Sequence, residues 1–190
     1  MARVNAPYSA WTRLLYTLAV CLVGAGIVHI AILMMLPAFS ERDAWSKLAQ
    51  LGDNYAAAPV AGPPGQPTVL QSSDPFFGAV ACRFDLAEGV THLTSTGSVP
   101  FWSASVYDRN GQNVYSFNDR TATEGVLDFV VATPLQMTEV RKNLPPNFQS
   151  SVFVEADIDE GIVVVRSFIP DASWKPAITG WLSGVSCSRQ

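Results

Sequence analysis

FWSASVYDRNGQNVYSFN, residues 101–118, is the stretch that decides the fold. Bulky and small side chains alternate on both sides of Asn110-Gly111, which is the period of a half-buried strand. Asn-Gly between two such runs is a strong hairpin signal, since both central residues of a type I′ turn need positive φ. A two-residue turn there pairs Val106 with Tyr115 and Ala104 with Phe117, setting aromatics beside small or β-branched partners.

Working outward, the same period recurs in short runs rich in Val, Ile, Phe, Tyr and Thr. Strands are expected at 78–86, 90–95, 102–108, 113–118, 127–133, 152–158, 162–169 and 179–186. The reading is an all-β sandwich or partial barrel of about eight strands. A second hairpin is expected at Glu160-Gly161, facing Phe153 with Phe168 and Glu155 with Arg166. Residues 138–143 are the only other helical candidate in this region, and Trp102, Trp174 and Trp181 supply bulk for the core.

Upstream the pattern changes. Residues 14–36, LLYTLAVCLVGAGIVHIAILMML, contain no Asp, Glu, Lys or Arg. At ~1.5 Å rise per residue a helix of this length crosses the ~30 Å hydrocarbon core. It exceeds the apolar stretch of a secretory signal, and Ala38-Phe39-Ser40 after Pro37 makes a poor cleavage site, so an uncleaved anchor is expected. Arg3 and Arg13 precede the run, whereas Arg42 and Lys47 after it are balanced by Glu41 and Asp43. The positive-inside bias therefore places the N-terminus in the cytoplasm and the rest of the chain outside it. On the span, Thr17, Cys21, Gly24, Ala25 and His29 share one stripe of small and polar side chains, a helix-packing face. His29 is an ionisable group at membrane depth, hence a partner-facing position by default.

Between span and β region, Ser40 with Asp43 reads as a capping box opening a short helix at 41–51, with Trp45 and Lys47 suited to a lipid surface. AAAPVAGPPGQP, residues 56–67, has four prolines and no charge and reads as a semi-stiff spacer. The expected organisation is a cytoplasmic tail (1–13), a transmembrane helix (14–37), a juxtamembrane helix (38–55), a linker (56–68) and a periplasmic β domain (69–190).

Cys82 and Cys187 are the two cysteines outside the span, and a bridge between them is expected in an oxidising compartment. With those thiols bridged, a single histidine outside the span and no G-x-S-x-G elbow, no nucleophile–base pair is legible, and no catalytic residue is assigned. His92 reads as a surface or edge histidine. An envelope hydrolase or carbohydrate-active enzyme needs it beside Asp85 or Asp108. Zinc is disfavoured by the absence of C-x-x-C and H-x-x-x-H. The acidic turn Glu155, Asp157, Asp159 and Glu160 lacks EF-hand spacing, so calcium stays open there and the solvated edge of a hairpin is preferred. Arg83, Arg109 and Arg120 are candidates for an anion clamp, yet the region holds 8 basic against 13 acidic residues, and the chain has net charge −4. That balance excludes a sequence-independent attraction to nucleic acid.

Three segments, LVGAGIVHI (22–30), DPFFGAVACRFDL (74–86) and VPFWSASVYDRNGQNVYSFNDR (99–120), carry a resemblance over nearly the whole chain. The chain resembles small single-span inner-membrane proteins of Gram-negative bacteria that hold a domain of unknown function. Larger soluble relatives look like two β domains fused in one chain. The resemblance thus implies that this chain is one half, with a companion single-span protein as partner, and it brings no catalytic residues or cofactors. The expected function is a membrane-anchored periplasmic binding or assembly module, working through that companion or through self-association. The rivals are the envelope enzyme and a carrier enclosing an apolar ligand.

Overall fold

The computed structural model describes residues 10–62, 68–69 and 74–190, and of residues 37–43 the backbone alone. The chain divides into two units, Met1–Ser40 and Glu41–Gln190. Helix α1 runs Ala10–Leu51. Its portion Ala10–Leu36 is long and apolar enough to cross a membrane. The helical stretch expected at 41–51 is part of α1, for Pro37 withholds one N–H from the ladder without ending the helix. The helix stops at Leu51, before Gly52, as its sequence indicates. The Ser40–Asp43 capping box falls outside the described side chains.

Nine strands follow among the described residues, in two sheets. In chain order they are β1 (Ala57–Pro59), β2 (Phe77–Asp85), β3 (Thr91–Thr94), β4 (Trp102–Asp108) and β5 (Asn113–Asn118). Then come β6 (Asp128–Ala132), β7 (Val152–Glu155), β8 (Glu160–Phe168) and β9 (Ser186–Arg189). One sheet has the order β1-β2-β8-β4-β5 and the other β7-β6-β3-β9. Between them lies the core, with Phe84, Leu93, Trp102, Phe129 and Val163 buried. Phe117 bridges that core edge-on, its ring 5.8 Å from Trp102 and 5.0 Å from Phe129. The Trp102 indole N–H donates to the Gly125 carbonyl at 2.8 Å, which satisfies the one polar atom the ring brings inside.

Cys82 on β2 and Cys187 on β9 are bridged, Cα atoms 6.6 Å apart, so the disulfide joins the two sheets. The first hairpin has the expected register, Val106 opposite Tyr115 and Ala104 opposite Phe117. Its turn is of another type. Only Gly111 has positive φ, +80°, and the ladder shifts between Val106 and Tyr107. That combination is a type I turn closed by a glycine bulge, which leaves Asn110 in an ordinary conformation.

Three expectations are corrected. β7 and β8 do not pair: β7 lies parallel to β6, while β8 runs between β2 and β4 in the other sheet. Gly161 is not a turn residue. A Cβ there would lie 2.5 Å from Phe84 Cζ and 2.6 Å from the Tyr107 carbonyl, so close packing inside β8 demands the glycine. The strand expected at 179–186 is instead helix α3 (Lys175–Ser183) followed by β9. Its buried Ile178, Trp181 and Leu182 recur at helical spacing, Pro176 sits in its first turn, and Gly184 N–H closes it on the Gly180 carbonyl. The spacer expected at 56–68 begins with β1, an edge strand held by backbone pairing with Val80–Cys82, which needs no bulky side chains. The domain is therefore mostly β rather than all-β. Helix α2 (Pro134–Lys142) covers the outer face of the smaller sheet and opens on a capping box between Thr133 and Gln136.

Candidate binding groove

The outer face of the five-stranded sheet carries a groove of about 730 Å³. Registers on the central strand β8 show how it is floored. Arg166 stands between Ala79 and Ser103, Val164 between Ala81 and Ser105, and Ile162 between Arg83 and Tyr107. Small side chains beside β8 thus leave a trough along it. Ala44 and Leu48 of α1 line one part, with Val60 and Val69 alongside. Leu48 is buried in a cluster with Ala58, Val69, Ala81 and Ile162. Further along, Phe77 lies opposite Phe168 with ring centroids 5.5 Å apart, and Phe76, Phe77 and Phe168 are 57%, 39% and 37% exposed. The lining is mainly apolar with a few polar groups, Arg166, Asp74, Ser103 and Tyr107, a composition typical of small-molecule sites.

The helix end is fastened by its tryptophan. The Arg83 and Arg109 guanidinium carbons lie 5.1 and 5.3 Å from the centre of the Trp45 ring. Arg83 also donates to the Gly52 carbonyl at 2.9 Å, and Arg109 pairs with Glu160. Two of the three arginines considered as an anion clamp are thereby committed to Trp45. Arg120 is not brought to them; its backbone N–H bonds the Asn118 side chain. Trp45, read in the sequence as a lipid-surface residue, is partly buried against the sheet.

His92 is nearly buried rather than a surface residue, its Nε2 2.9 Å from Asp128 Oδ1. Neither Asp85 nor Asp108 is its partner. Ser151 donates to the same Asp128 oxygen at 2.5 Å, and the Phe148 ring meets the imidazole edge-on at 4.9 Å. Ser, His and Asp are thus gathered in an order that does not activate the serine. Nucleophilic catalysis needs the imidazole between carboxylate and hydroxyl, whereas here the carboxylate lies between the other two. Asp128 ties β3, β6 and the entry to β7 together.

Thr17, Cys21, Gly24, Ala25 and His29 are all exposed within their unit, and Thr17 Oγ1 bonds back to the Arg13 carbonyl at 2.9 Å. Of the acidic turn, Glu160 is engaged by Arg109 and the Asp159 carbonyl accepts from Leu86 N–H. Among the described residues no three His, Cys, Asp or Glu side chains are grouped to hold a metal ion. Tyr55 was not singled out in the sequence. It adopts positive φ, +65°, and its hydroxyl donates to the Asp85 carbonyl at 2.6 Å; burial pushes its phenol above the ordinary value.

No protein-family model matches the chain, and no curated protein matches it by sequence. Solved structures are similar to it, two of them as follows. The crystal structure of the VPA0106 protein from Vibrio parahaemolyticus superposes with a TM-score of 0.55 at 11% identity, over 80% of this chain and 35% of that one. An uncharacterized protein from Burkholderia cenocepacia gives 0.47 at 13% identity, over 99% of this chain and 45% of that one. This chain therefore spans less than half the length of either, and the first likeness shows a shared fold alone.

Proposed function

We propose that this chain is a membrane-anchored binding or assembly module of a bacterial cell envelope, with its N-terminus in the cytoplasm and its β domain in the periplasm, acting through a partner membrane protein. The observation that carries the reading is the presence, in one chain, of an apolar helix whose residues 14–36 carry no charge and a sheet-joining disulfide. The helix has the length of a span, and the bridge suits the oxidising side of the membrane it would cross. Arg3 and Arg13 ahead of the run set the orientation. The stripe from Thr17 to His29 offers the close-packing surface that a companion span or a second copy uses in lipid.

Two measurements test this. Alkaline phosphatase fused after Gln190 should be active and a cytosol-only fluorescent reporter dark; the opposite pattern refutes the orientation. Photo-crosslinking from the stripe in intact cells should capture a membrane protein. Ala25→Leu should lower that recovery several-fold with the β domain still folded, and unchanged recovery removes the stripe from the reading. The groove favours a second element of the same function, the binding of an apolar ligand.

A further inference from the structure

We infer that the groove on the outer face of the five-stranded sheet is a site for a long-chain fatty acid, its carboxylate on Arg166 and its tail along Val164 and Ile162 beneath Leu48. The inference rests on the reading of the domain as a binding module and assigns that module its ligand class.

The argument begins from an oddly placed cation. Arg166 lies on β8, the middle strand of five, and among the described residues no carboxylate is within ion-pair distance of it. Its cross-strand neighbours Ala79 and Ser103 are too small to shield or neutralise it. Asp74, the one acidic residue of the lining among the described residues, accepts from Phe76 N–H at 2.9 Å through Oδ1. A planar guanidinium with open donors is suited to a bidentate carboxylate. On one side of its row stand Phe77 and Phe168, which lower the local dielectric and strengthen such a pair.

On the other side β8 continues with Val164, flanked by Ala81 and Ser105, and then Ile162, flanked by Tyr107 and by Arg83, whose guanidinium is held on the Trp45 ring. From Arg166 to Ile162 the strand runs four residues, ~13 Å at ~3.3 Å each, and the groove follows it past Val164 to Ala81 and Ile162, where Leu48 packs against them. The groove's 730 Å³ falls within the range of small-molecule sites. A cation at one end, a greasy trough of that length and an exposed aromatic rim together match an amphiphile with one anionic head and one hydrocarbon tail. Ala44 and Leu48 follow the end of the apolar run by eight and twelve positions in sequence.

The test uses the full chain in phosphatidylcholine nanodiscs with a photoactivatable diazirine palmitate and its alcohol counterpart, labelled peptides being mapped by mass spectrometry. With palmitate, label is expected on peptides covering 77–83 and 160–168, as well as on the apolar helix. Arg166→Gln, a polar replacement at an exposed position, should cut the domain label at least tenfold for the acid while leaving the alcohol unaffected. Ala79→Trp, which fills the trough, should abolish both, with thermal midpoints confirming that each variant folds. Absence of domain label in the unmodified protein overturns the inference, as does acid labelling that Arg166→Gln leaves unchanged. Label on residues 14–36 is a separate readout: its absence refutes the membrane anchor, whatever the groove does.

Discussion

Reducing the Cys82–Cys187 bridge should cost this domain a large part of its stability, and the size of the loss follows from the loop it closes. The two residues are 105 apart in sequence, and for a loop of that length the chain-entropy relation gives about 4.7 kcal/mol at 25 °C. Small domains have net stabilities of roughly 5–15 kcal/mol, so this is not a marginal term. Reduction is a clean perturbation because both sulfurs stay in place, 2% and 8% exposed in the core, and no cavity forms. The structure adds a directional expectation. β9 is bonded only to β3 and is four residues long, so the bridge is its main tie to the larger sheet. Guanidinium unfolding of the full chain in mild detergent, followed by tryptophan fluorescence, should show the reduced form less stable by about 3–5 kcal/mol. Its thermal midpoint should be roughly 15 °C lower. The double variant Cys82→Ala/Cys187→Ala should lose a further ~1–2 kcal/mol through the space left by two sulfurs. Oxidised and reduced forms agreeing within about 1 kcal/mol would refute the reasoning, for then the bridge closes a loop already closed in the unfolded chain.

Gly161→Ala places a methyl against Phe84 Cζ and the Tyr107 carbonyl, and should destabilise by about 1–3 kcal/mol or more in the same denaturation assay; a neutral result would show that β8 can shift there. Trp45→Ala removes the ring that two guanidiniums share, at roughly 0.5–2 kcal/mol for each contact. Amide exchange should accelerate in residues 44–51 while β2, β4 and β8 stay protected, and uniform acceleration would count against a local fastening. Burial holds the Tyr55 phenol protonated in the fold to higher pH than in the unfolded chain, so its contribution is intact below the ordinary value of 10.0 and is lost as pH rises above it through the raised value. Tyr55→Phe should lose about 1 kcal/mol at pH 7 with its hydrogen bond to Asp85, yet show a shallower decline above pH 10; parallel curves for the two proteins would contradict the burial argument.

Local pattern carried the sequence reading far where the physics was local. Alternation around Asn110-Gly111 yielded the strands, the cross-strand partners and the hairpin, because a short loop leaves little freedom in register. The turn type escaped it, for an Asn-Gly pair serves a type I turn with a glycine bulge as readily as a type I′ turn. It also misassigned Trp181 and Leu182, since so short an apolar group fits a period of two or of 3.6 residues. β1 was missed for a different reason. Its Ala-Ala-Pro sequence has no strand signal of its own, and it is held by the backbone groups of β2.

The groove was illegible for a reason that bears on its function. Reading Glu160-Gly161 as a turn set Glu155 opposite Arg166 and neutralised the arginine within a hairpin. In the fold Gly161 is occupied in admitting Phe84, the chain passes from one sheet to the other between Ala156 and Asp159, and the glutamate and arginine go to different sheets. Arg166 then emerges between Ala79 and Ser103, two residues contributed by strands about 60 to 90 positions earlier. Nothing in the sequence around 166 announces an isolated charge. The separation arises from topology, which sends Glu155 to the other sheet and sets Arg166 beside small side chains instead. Among the described residues no carboxylate pairs with Arg166 on the exposed face of β8, and the fatty acid proposed above would supply one.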